Sequence, residues 1–139
     1  MTLQVEVVSP ERILYSGEAE MVIARTVGGG DIAFLTGHAQ FVGALEIATV
    51  TVRSAAGQAG DEVVAVHGGF VEVSGDKVTI LSDVAELSSQ IDVDRAQRAK
   101  EAAEAVLRDH DDDEASAALR RATVRIGAAT GAGTASSVH

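Results

Sequence analysis

Near Ser88 the sequence changes its hydrophobic period, and that change dictates the order of the architecture. Up to about Gln90 apolar residues alternate with polar ones, as Leu3, Val5 and Val7 do with Gln4 and Glu6; after Asp92 they recur every three or four residues. A period of two belongs to half-buried strands and a period of 3.6 to amphipathic helices, so a strand-rich body precedes a helical part. Asp92 is the residue type that starts a helix, because its carboxylate accepts the bare N–H groups of the first turn. Ile91 before it and Ala96 inside it are placed to close as a weak hydrophobic staple. The expected division is a body over residues 1–90, a helical hairpin over 91–129 and a disordered tail over 130–139, where Gly131 and Gly133 mimic a glycine loop that no strand precedes.

Within the body, short alternating runs are separated by turn residues. Leu3 to Val7 stops at Ser9-Pro10, Ile13-Leu14-Tyr15 is turned by Ser16-Gly17, and Glu18 to Val27 carries apolar residues on both faces. Ile32 to Leu35, Ala44 to Ala48, Thr49 to Ser54, Glu62 to His67, Gly69 to Ser74 and Lys77 to Ser82 follow, with a loop at Gly57 and Gly60 and a tight hairpin at Gly75-Asp76. About nine or ten short strands at this spacing predict a β-sandwich or flattened barrel with antiparallel neighbours.

Past Asp92, Ala96, Ala99, Ala103, Val106 and Leu107 share one helical face. The acidic run Asp109-His110-Asp111-Asp112-Asp113 reads as a solvated turn whose last aspartates cap a second helix, with Ala115, Ala118, Leu119, Ala122 and Ile126 along its inner side. Two helices and a short turn form an antiparallel hairpin. Its seam is mostly alanine, which favours helix but buries little, so the hairpin is expected to be bistable, docked on the body or swung away from it.

Charge and composition remove several classes of function. A net charge of −10 with only 3% aromatic residues disfavours nucleic acid, which needs cationic surfaces and stacking platforms. The absence of cysteine excludes disulfides and thiolate chemistry and fits a reducing compartment. No basic stretch leads into an apolar run at the N-terminus, and no run of about eighteen apolar residues occurs, so neither a signal peptide nor a bilayer span is expected. Gly28-Gly29-Gly30 lacks the Gly-Lys-Ser/Thr of a phosphate loop, and His67-Gly68-Gly69 has no nucleophile elbow to serve, its glycines fitting a close strand crossing instead. His38, His67, His110 and His139 share no metal-ligand spacing and are expected at turns or on the surface. No constellation calls for catalysis. Seven of the chain's 11 Lys/Arg lie after Ile91, namely Arg95, Arg98, Lys100, Arg108, Arg120, Arg121 and Arg125, which suits either an acidic partner or a solvated helix surface.

Gly30-Asp31-Ile32-Ala33-Phe34-Leu35-Thr36-Gly37-His38-Ala39 resembles the Gly-Glu-Leu-Gly-Ile-Leu-Pro-Gly-His-Ala loop of the epsilon subunits of F-type ATP synthases. Val8-Ser9-Pro10-Glu11, Gly17-Glu18, His67 to Val73, Val78 to Asp83, and Ile91-Asp92 with Arg95-Ala96 match that family in the same order, from about residue 3 to residue 129. Ala33, Thr36 and Gln40 stand where the family usually has glycine and two prolines, which loosens the loop.

The resemblance implies a non-catalytic central-stalk subunit, peripheral on the cytoplasmic face of the membrane, whose sandwich binds the gamma subunit and the c-ring. It implies c-ring contacts at Asp31 and His38, and a hairpin that opposes ATP hydrolysis when Arg120, Arg121 and Arg125 face the catalytic beta and alpha subunits in an extended state. It also implies ATP as a regulatory ligand of Ile91, Asp92, Arg95, Ala96, Arg121 and Arg125, with no cofactor required, although Ala102 replaces a further arginine of the better binders. Asp92 as a cap and Arg95 as a surface cation account for two of these residues without a ligand. A free-standing ATP-binding sensor or adaptor of the same fold is the alternative.

Overall fold

The computed structural model describes residues 2–54 and 60–130. Eight strands precede two helices: β1 (Leu3–Val8), β2 (Ile13–Ala19), β3 (Met21–Thr26), β4 (Gly30–Leu35), β5 (Phe41–Arg53), β6 (Glu62–Ser74), β7 (Lys77–Leu81), β8 (Ala85–Leu87), a 3-10 turn at Ser88–Gln90, α1 (Val93–Asp109) and α2 (Asp113–Thr130). The strands hydrogen-bond in the order β2-β1-β7-β6-β5-β3-β4, and β8 joins β6. This is the sandwich with a C-terminal helical hairpin that the change of period predicts. The β1–β7 pair is parallel, contrary to the expectation of antiparallel neighbours throughout.

Four of the expected strands are two. Residues 41–53 form one strand and 62–74 another, paired from Phe41↔Val73 to Val52↔Glu62. Along β5 the buried side switches from Leu45 to Val50 and Val52, an odd interval; along β6 it switches from Val64 and Val66 to Val71 and Val73. Both switches fall opposite each other, near Glu46 and Gly68, where the ladder turns the corner between the two sheets. Gly68 and Gly69 take positive φ of 82° and 123° there, a backbone state open to glycine. The switch of side makes each strand look like two in the sequence.

Two strand glycines, among them the Gly17 expected at a turn, are covered by an aromatic ring two residues earlier. Tyr15 lies over Gly17, which pairs with Val5, so β2 runs through Ser16-Gly17 without turning. Phe41 lies over Gly43 in the same way. On one side of a strand, residues i and i+2 are neighbours, so the ring supplies the cover that glycine lacks.

The core between the sheets joins Leu3, Val5, Val7, Val22, Phe34, Leu45, Val50, Val64, Val71 and Ile80. Val22, Ile23 and Ala24 are all fully buried, as expected of a strand apolar on both faces. Alternation points Thr49 and Thr51 of β5 and Ala65 of β6 away from that core, and all three are nevertheless buried. α2 packs over β5 and β6 and covers this outer surface, while α1 packs chiefly on α2. Apart from His67 and Glu86, the described surface under the hairpin is therefore built from small and β-branched residues, with no layer of leucine and phenylalanine among them.

Asp92 caps α1 by accepting from Arg95 N at 3.0 Å, and Asp112 caps α2 by accepting from Ala115 N at 2.8 Å. Ala96 and Ala103 are buried on α1, and Ala115, Ala122 and Ala128 on α2, whereas Ala99 and Val106 are exposed. The inner face of α1 is thus narrower than its apolar residues suggest. Thr130 ends α2 and so belongs to the helix; residues 131–139, including His139 and the expected tail, and the loop position Gly57 lie outside the described residues.

Candidate functional site

A cleft of about 310 Å³ opens where the sandwich meets the hairpin, lined by Glu86, Gln90, Asp92, Arg95, Ala96, Ala99 and Arg125. Its walls come from three places: β8 and the 3-10 turn after it, the first two turns of α1, and the second half of α2. Asp92, Arg95, Ala96 and Arg125, four of the six residues expected at a nucleotide site, converge there. Ile91 and Arg121 do not line it. Arg121 instead donates to Glu114 Oε1 at 2.7 Å.

The hub of the site is Glu86, which the sequence motifs do not single out. Its Oε1 accepts from Arg125 Nε at 2.6 Å and lies 3.1 Å from His67 Nε2. Burial alone would raise the Glu86 carboxyl, but hydrogen bonds from Arg125 and His67 outweigh it and hold the group below its ordinary 4.5. Its ion pair is therefore complete above pH 4.5 and fades as the pH falls through the lowered value.

His67 departs from expectation: it is neither a turn nor a surface residue, its side chain being 4% exposed on β6. The reason is its place on the outer face of the sheet, beside Glu86 and beneath α2. Burial, together with Arg125 and Arg121, lowers its pKa below the ordinary 6.5. Arg95 and Arg120 make no ion pair among the described residues. Two cations and two carboxylates thus face one another across the cleft, one of the cations unpaired.

On the β3–β4 pair at the end of the strand order Asp31 forms a two-point bond with Arg25, Nε to Oδ1 at 2.8 Å and Nη2 to Oδ2 at 3.0 Å. His38 Nδ1 lies 2.7 Å from Ala39 O, and its ring meets the Phe34 ring edge-on at 4.9 Å. The two stand at opposite ends of β4, one beside Gly30 and the other beyond Leu35. At a rise of about 3.3 Å per residue they are too far apart to share one contact point.

The outer face of the part of the sandwich away from the hairpin carries three exposed apolar side chains, Val42 at 69%, Phe70 at 55% and Leu81 at 44%, with Phe70 directly across from Leu81 and with Glu72, across from Val42, beside them.

A sandwich platform bearing a two-helix arm, with a charged cleft at the joint, defines a class of platform-and-arm proteins. Residues 2–88 match the family described as ATP synthase, Delta/Epsilon chain, beta-sandwich domain, and residues 89–130 match its long alpha-helix domain. The chain belongs to the ATP synthase delta/epsilon chain family. It is 44% identical over 124 residues to the ATP synthase epsilon chain of Streptomyces griseus, covering 89% of this chain and 92% of that one. With the ATP synthase epsilon chain of Brevibacillus brevis it shares 51% over 104 residues, covering 73% and 75%. The fold matches a chain in the cryo-EM structure of the Euglena gracilis mitochondrial ATP synthase, with OSCP, F1 and c-ring, at a TM-score of 0.77 and 21% identity over 93% of this chain and 81% of the other.

Proposed function

We propose that this protein is a non-catalytic, peripheral subunit of the central stalk of an F-type ATP synthase on the cytoplasmic face of the membrane. Its sandwich seats on the gamma subunit and the c-ring, and its hairpin is a two-position arm that restrains ATP hydrolysis. The observation that carries this reading is the cluster of exposed apolar side chains at Val42, Phe70 and Leu81, beside Glu72, in a chain of this family. A free-standing sensor has no use for such a face, whereas a surface of that kind on a folded protein marks a partner. Asp31 with Arg25 and, at the other end of β4, His38 are the proposed c-ring contacts. No helix of the described residues is long and apolar enough to cross a membrane, so these contacts would reach the ring from outside the bilayer.

Phe70→Asp tests the face. Because Phe70 is exposed, the free protein should melt unchanged, while its affinity for gamma should fall at least about tenfold, as expected of a central aromatic anchor. Equal binding of gamma by the variant and the wild type would remove the face from the proposal.

The cleft favours a second role, regulatory binding of ATP. Guanidinium groups pair with phosphate oxygens through two N–H groups at once, and Arg95 and Arg125 converge with Asp92 and Ala96 in a cleft that has room for part of a nucleotide. Phosphates must compete with Glu86 for Arg125. Titration calorimetry of the full chain should show saturable heat with ATP that Arg125→Ala abolishes; an identical titration with the variant would sink the assignment. In the extended state Arg120, Arg121 and Arg125 would meet the alpha and beta subunits, and Arg125 reaches them only by leaving Glu86.

A further inference from the structure

We propose that His67 and Glu86 form the catch that holds α2 on the sandwich, and that uptake of a proton at His67 loosens it. The proposal rests on the reading that the hairpin can leave the sandwich.

Glu86 belongs to β8 and His67 to β6, so both stay with the sandwich, whereas Arg125 travels with α2. One carboxylate oxygen, Glu86 Oε1, holds both partners, and it is the bond to Arg125 that spans platform and arm. In neutral His67 the Nε2–H donates to Glu86, leaving Nδ1 bare. Nδ1 is buried and has no partner among the described residues, so a proton added there becomes a charged N–H without an acceptor.

That charge would also face like charges. Arg125 is bound to the same oxygen and Arg121 stands nearby on α2, itself bound to Glu114; from α1, Asp92 and Arg95 line the same cleft as Glu86 and Arg125. Burial and the two α2 arginines lower the pKa of His67 while the arm is docked, and only Glu86 opposes them. Undocking removes both arginines and admits water while Glu86 stays beside the imidazole, so the pKa rises. The docked arm is thus fully favoured above the pKa of the released state, and its advantage falls as the pH drops from there to the lowered value of the docked state. Glu86 remains ionised through this range because its own carboxyl lies below 4.5.

The chain has no cysteine, so a Ser74→Cys and Ser116→Cys pair can carry two dyes, one on the sandwich and one on α2. Single-molecule energy transfer on the full chain then reads the arm between pH 7.5 and 5.5. The ratio of released to docked molecules should rise on the order of fivefold in the parent, the lower end of typical couplings within one protein. His67→Gln, which keeps a donor but does not titrate in this range, should hold the ratio constant, and Arg125→Glu should release the arm at every pH. If Arg125→Glu opens the arm while the parent and His67→Gln follow the same pH curve, the catch is wrong and the mobile arm stands. An arm that stays docked in Arg125→Glu as well defeats the mobile arm and the catch together. The imidazole resonances of His67 give a check that needs no variant at that position: the midpoint should lie below 6.5 and rise in Arg125→Ala. An unmoved midpoint overturns the proposal.

Discussion

Replacing Gly69 by alanine is expected to cost the sandwich much of its stability. At φ +123° an L residue is strained, and a Cβ there would collide with the carbonyl oxygen of Leu81 and lie 3.0 Å from Ser82 Cα. Both obstacles are backbone of the neighbouring segment and cannot rotate aside. A strained φ costs about 1–3 kcal/mol and overpacking about 1–3 kcal/mol more, against a total of roughly 5–15 kcal/mol for a domain. At about 4–8 °C per kcal/mol for a sandwich of this size, the combined loss of about 2–6 kcal/mol should lower the melting temperature by at least roughly 10 °C and by up to several tens of degrees. Gly43→Ala is the control: the added methyl meets the Phe41 ring at 2.7 Å, and a ring edge can swing away. Circular dichroism melts of the two variants decide the matter. If Gly69→Ala melts within a few degrees of the parent, the corner is not where β6 is constrained.

That corner also explains where the sequence misleads. A strand pair that turns from one sheet to the other must change the side it buries, so its alternation slips by one residue and imitates a loop. Ala44 to Ala48 and Thr49 to Ser54 read as two strands for this reason, and so do the halves of β6. Gly17 imitates a turn because the ring that covers it lies two residues away in sequence but on the same side of the strand. The helices show the opposite case. Capping by Asp92 and Asp112 is local, and it appears where the sequence places it.

The cleft was half legible. Asp92, Arg95, Ala96 and Arg125 are implied by the family resemblance, and the fold assembles them. Nothing in the sequence joins Glu86 to His67, because their meeting depends on the pairing of β8 with β6, a three-residue strand too short for periodicity to declare. A signal existed in Ala85-Glu86-Leu87, whose lone charge between apolar neighbours stands one short turn before the helix. Arg121 illustrates the converse: its position in sequence fits the motif, but Glu114, seven residues earlier on the same helix, draws its guanidinium away.

Ala122→Asp should release the arm without unfolding the platform. Ala122 is 1% exposed, on the same face of α2 as Ala115, and Ala128 is buried about a third of a turn further round, so α2 is enclosed over a wide arc. The packing that encloses it is thin. Each buried methyl contributes roughly 0.8 kcal/mol, so the five buried alanines of the hairpin supply about 4 kcal/mol, with the half-buried Leu119, Val124 and Ile126 adding to it. A carboxylate without a partner in that position costs several kcal/mol, comparable to the whole seam, and the cheapest escape is for α2 to lift and hydrate it. The sandwich core is separate, since Leu3, Phe34, Val64 and Ile80 pack between the sheets and not under the helices. Hydrogen exchange should therefore show the amides of α1 and α2 losing protection on the order of a hundredfold, about 2.7 kcal/mol, while those of the halves of β5 and β6 beyond the corner, Phe41 to Leu45 and Phe70 to Val73, keep theirs. Loss of protection in both parts together would mean that arm and platform fold as one unit, and a two-position arm would then have no physical basis.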